Sequence, residues 1–116
     1  MNPAGIMTAM QNKNLLLQEK NDEMVTLAIE KADAQRDYRT ALAIEIAKRR
    51  LNGESVTLSE TMARGDHGVA ALKVKFVVAE AKYKACISNI TITLASLQTL
   101  RSLLVWEREE KYNKNV

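Results

Sequence analysis

Only a few residues in this chain are of types that carry chemistry, and their spacing decides what they can do. The single cysteine, Cys86, and the single histidine, His67, are 19 residues apart. On one helix that is roughly 28 Å at 1.5 Å per residue, too far for the imidazole to activate the thiol. Cys86 falls where a helix seam wants a small apolar group, which predicts a buried structural side chain. One cysteine also excludes an internal disulfide. Asp66 beside His67 opens a metal site only if further ligands join, and with no second histidine or paired cysteine the set stays incomplete, so neither metal nor cofactor is expected. Glu107, Glu109 and Glu110 alternate with Arg108 and Lys111 and read as a solvated face. Arg64-Gly65-Asp66 reads as a turn and helix cap. No glycine-rich phosphate loop, nucleophile elbow or metalloprotease signature occurs. The chain is therefore expected not to be an enzyme.

The basic residues are the other candidate. Lys48, Arg49, Arg50, Arg64, Lys73 and Lys75 are predicted to gather at one end of the fold, where they are able to hold nucleic-acid phosphates. The net charge is only +3, and the basic triplet closing the first helix also answers that helix's dipole. Nucleic-acid binding is thus the alternative function, not the leading one.

The elements that position these residues follow from periodicity. In the second half, Val69, Phe76, Tyr83, Ile90, Leu97 and Leu104 repeat every seven residues, and Leu72, Ala79, Cys86, Thr93 and Leu100 follow three positions on. Two such rows form a seam for packing against another helix. Val69, Leu72, Phe76, Tyr83, Ile90, Leu97 and Leu104 are the predicted helix-packing and oligomer interface. The first half holds strong helix formers from about Asn14 to Leu51, with a poorer contact face read as Leu17, Met24, Ala28, Ala32, Gln35, Tyr38, Leu42 and Ile46.

Breakers set the boundaries. Glycine and proline together number five, concentrated at the amino terminus and between residues 53 and 68. Lys48-Arg49-Arg50 before Asn52-Gly53 marks a helix end. Thr57-Leu58-Ser59-Glu60 has capping-box spacing and predicts a short helical turn over 57–63. Asp66 is the predicted N-cap of the last helix. The expected organisation is a flexible tail over 1–12, then one domain over 13–116, with a helix of about 13–51, a connection of 52–66 and a helix of about 66–111.

This is an all-α fold, a long antiparallel helical hairpin of coiled-coil type. Val74, Val77, Ile87, Ile92, Leu94, Leu103, Val105 and Trp106 lie outside the seam, more than one alanine-rich partner helix is able to cover. Dimerisation into a four-helix bundle is the expected remedy. No apolar stretch near the start is long enough to span a bilayer and no basic leader precedes it, so a cytoplasmic protein without membrane contact is expected.

Tyr38-Arg39-Thr40-Ala41-Leu42-Ala43, Gly53-Glu54-Ser55-Val56-Thr57-Leu58, Ala63-Arg64-Gly65-Asp66, Val69-Ala70-Ala71-Leu72-Lys73 and Ala79-Glu80-Ala81-Lys82-Tyr83-Lys84-Ala85 together resemble small helical proteins of phages and prophages of Gram-positive bacteria. The resemblance covers roughly residues 30 to 107. It implies a setting among early replication and recombination genes in the host cytoplasm, and a host or phage protein as partner. It assigns no catalytic residue. The expected function is that of a non-enzymatic interaction protein that self-associates and binds a protein of replication, recombination or host defence.

Overall fold

Asn2-Pro3 starts a helix. In the computed structural model, which describes residues 2–114, the Asn2 side chain accepts a hydrogen bond from Gly5 N at 2.7 Å, and Pro3 occupies the first helical position, where a missing N–H costs nothing. Helix α1 spans Pro3–Leu51, α2 Val56–Arg64 and α3 His67–Lys114, and no strand occurs among the described residues. The fold is all-helical. The flexible tail expected over 1–12 is corrected from Pro3 onward: residues 3–12 belong to α1, and Ile6 among them is fully buried. The Asn-Pro cap is the local signal that a search for apolar periods passes over.

The connection is built as anticipated at its ends and differently in its middle. Gly53 takes φ +89°, its N–H bonds Arg50 O at 3.1 Å, and Glu54 N bonds Arg49 O at 3.2 Å. This double closure satisfies the last carbonyls of α1 and requires a residue at ease in the left-handed region. Helix α2 starts at Val56, one residue after its cap: Ser55 Oγ accepts from Leu58 N at 3.3 Å. The cap expected at Thr57 is thereby moved two residues back. Asp66 Oδ2 accepts from Gly68 N at 3.1 Å and Val69 N at 3.2 Å, which caps α3 as expected. The last helix runs on to Lys114, three residues past its expected end.

Two packing units result. In one, Val25–Lys84, the second half of α1 and the first half of α3 run antiparallel and are joined through α2, as Lys31 meets Glu80 and Tyr83 while Tyr38 meets Phe76. In the other, Met1–Met24 with Ala85–Val116, the Cys86 thiol donates to Lys20 O at 3.3 Å, while Pro3 lies in one shallow groove with Glu107, Glu110 and Lys111. That pairing is antiparallel too.

The inward positions of α1 follow a seven-residue rule that its composition hides. Pro3, Met10, Leu17, Met24, Lys31, Tyr38 and Glu45, with Ile6, Lys13, Lys20, Leu27, Ala34 and Ala41 three positions on, are all buried or half-buried. Three of these are lysines. A lysine packs a long methylene stem against a seam while its charged tip sits at the edge, as the Lys31 ammonium does over Tyr83 and beside Glu80, so an inward row need not look apolar. Of the contact face read from sequence, Ala32 is exposed, and Ala28, Gln35, Leu42 and Ile46 are half-buried along the edge of the seam.

Candidate functional site

The seven residues of the predicted interface row pack within the chain. Val69, Leu97 and Leu104 are buried, and Leu72, Phe76, Tyr83 and Ile90 are half-buried. Phe76 stacks on Tyr38 with centroids 6.3 Å apart, and Tyr83 lies 5.1 Å below the Lys31 ammonium, which is also 4.0 Å from Glu80. These contacts pack α3 on α1 within the Val25–Lys84 unit.

The six basic residues are engaged in different ways. Arg49 donates to Glu45 at 3.1 Å and lies 3.7 Å from Glu54, Lys48 is 3.8 Å from Glu45, and Arg50 donates to the Glu54 carbonyl at 3.2 Å. Lys73 sits over Tyr38 and Phe76, 4.9 and 5.5 Å from the ring centroids. Lys75, two residues on and so about 200° around the helix, faces away from it into a groove between α1 and α3. Arg64 is exposed at the end of α2. Most of the positive charge counted in sequence is spent on closing the turn and covering aromatic rings.

Cys86 is buried as anticipated. On the turn of α1 that faces it, the Lys20 ammonium is held above its ordinary pKa chiefly by a hydrogen bond to Glu23 at 3.1 Å. His67 is exposed at the start of α3, and no three of His, Cys, Asp and Glu gather as metal ligands among the described residues. No helix is long and apolar enough to cross a membrane among those residues.

Outside the seam every helix exposes large apolar side chains. In the Val25–Lys84 unit, α1 exposes Ile29 and Ile44, α2 exposes Val56, Leu58 and Met62, and α3 exposes Val74, Val77 and Val78. In the other unit, Leu15 lies open on α1, and Ile92, Leu94, Val105 and Trp106 on α3. The α3 residues were readable as lying off the seam; those of α1 and α2 were not, because the true seam of α1 is partly cationic.

One concavity in the Val25–Lys84 unit combines apolar and charged walls. Glu30, Asp33 and Asp37 of α1 face Lys75 and Lys82 of α3 across a groove of about 390 Å³, with Val78 at its rim and Ala34 and Ala79 buried at its floor. Arg36 reaches both Asp33 and Asp37 at 3.2 Å from the exposed side. Sequence reading passed over the acidic wall, since Glu30, Asp33 and Asp37 form a row only once the packed face of α1 is known.

No family model matches the chain, and no curated protein or solved structure shows significant similarity to it.

Proposed function

We propose that this chain is a non-enzymatic helical interaction protein that self-associates, as a two-fold dimer giving a four-helix bundle, and binds a protein partner. The apolar surface left open on all three helices carries this reading. Within the chain the core is thin: apart from Ile6, Val69, Leu97 and Leu104, its buried apolar residues are alanines and Cys86.

The resemblance to small phage and prophage proteins supports a partner among replication, recombination or host-defence components and a place in the host cytoplasm. Nucleic-acid binding through Lys48, Arg49, Arg50, Arg64, Lys73 and Lys75 is the alternative, weakened in that four of these cations already contact Glu45, Glu54 or aromatic rings.

Light scattering on the purified chain, followed by capture from host lysate with and without nuclease, tests the proposal. A dimer at micromolar concentration, and a bound protein that survives nuclease, are expected. Recovery that vanishes with nuclease, together with DNA affinity falling steeply between about 50 and 200 mM salt, would replace it with the nucleic-acid reading.

A further inference from the structure

The groove in the Val25–Lys84 unit has an acidic wall on one helix and a basic wall on the other, and its charges stay apart. Among the described residues, Glu30, Lys75 and Lys82 have no ion-pair partner within 4.0 Å; the cross-helix ion pair of this unit, Lys31 with Glu80, lies on the other edge of the seam. The floor is made of the methyl groups of Ala34 and Ala79, 3 and 9 % exposed, and Val78 at the rim is 47 % exposed. Such a trough offers apolar contact along its middle, with the unpaired Glu30 on one side and the unpaired Lys75 and Lys82 on the other.

We infer that the occupant of this groove is the same groove of a second copy, the two being related by a two-fold axis parallel to the helices. This rests on the self-association proposed above and assigns its surface. The argument is one of level and sign. Lys31 lies level with Glu80 and Tyr83, and Tyr38 with Phe76, so Glu30 is level with Lys82 and Asp37 with Lys75. A two-fold axis running parallel to the helices sets α1 of one copy over α3 of the other, antiparallel and at the same level. Glu30 then meets Lys82 of the second copy and Asp37 meets Lys75, twice each by symmetry. A two-fold axis running across the helices instead sets acid over acid and base over base, which like-charge repulsion disfavours. Asp33 stays with Arg36, whose grip on Asp37 is exposed and weak enough to yield. The alanine floors let the four helices approach closely while Val78 of each copy fills the space between.

The test uses the full chain, with sedimentation velocity for association and circular dichroism for helicity. Lys75→Glu with Lys82→Glu makes both walls acidic, and Glu30→Lys with Asp37→Lys makes both basic. Each variant is expected to keep its helicity and to dimerise at least about tenfold more weakly than the parent. An equimolar mixture of the two, one carrying a purification tag, is expected to recover a heterodimer of at least parental affinity. If a charge reversal lowers helicity, Lys75→Gln with Lys82→Gln takes its place, with a smaller weakening expected. A parent dimer whose affinity is unmoved by these substitutions overturns the groove assignment and leaves self-association standing. A parent that remains monomeric to about 0.2 mM, a range in which a specific contact of this size is populated, overturns both.

Discussion

Tyr38 of α1 and Phe76 of α3 stack with ring centroids 6.3 Å apart and planes 18° from parallel, and the Lys73 ammonium caps both rings. This contact joins segments far apart in sequence and sets the register of the Val25–Lys84 unit. Both rings are half-buried. Phe76→Ala should therefore cost about 2–3 kcal/mol, below the range for a fully buried ring. A double-mutant cycle with Tyr38→Ala should show a coupling of about 1 kcal/mol in urea denaturation. Additive losses would mean that the rings do not touch in solution.

Gly53 and Gly65 bracket α2 but carry different demands. Gly53 sits at φ +89° with open space around a would-be Cβ, so Gly53→Ala should cost about 1 kcal/mol through backbone strain alone. Gly65 is right-handed at φ −85°, and a Cβ there would meet backbone oxygens no closer than 3.6 Å. Gly65→Ala should be neutral or stabilise slightly by restricting the unfolded chain. Equal effects of the two substitutions on the urea midpoint would contradict this geometry.

Ser59 is fully buried on α2 and its hydroxyl has no hydrogen-bond partner. An orphaned polar group at such a site is a standing cost, so Ser59→Ala should raise stability by about 1 kcal/mol. Thermal unfolding followed by circular dichroism is the check. A loss of stability would reveal a partner on Oγ.

Ile6 is fully buried, whereas its neighbour Met7 is 49 % exposed. Ile6→Ala should lower the urea midpoint by the equivalent of about 2 kcal/mol, at the low end for a buried isoleucine because helix ends fray. Met7→Ala should change it little. Matching small effects would restore a loose amino-terminal segment.

Legibility in sequence followed the kind of signal involved. Gly53 and Asp66 act through their own backbone neighbourhoods, so their roles as helix stop and helix cap were readable residue by residue. The seam of α3 was readable because its positions are apolar. The seam of α1 was not: Lys13, Lys20 and Lys31 occupy inward positions, and a long stem with a charged tip packs like an aliphatic chain while reading as polar. The start at Pro3 was missed for a similar reason, since its evidence is an Asn-Pro cap and a single buried isoleucine, too brief to make a period.

The sequence by itself determined an all-helical chain broken near residues 52–66, because helix propensity, capping and a seven-residue apolar repeat are encoded locally. Only the tertiary structure decided which charges are already engaged and which stand open. Arg49 and Lys73 look alike in a list of basic residues, yet one closes the turn with Glu45 and Glu54 and the other covers aromatic rings. Glu30 and Lys82, some fifty positions apart, become walls of one groove because the antiparallel register of α1 and α3 brings them level. That register is set by packing between distant segments, which no local pattern contains.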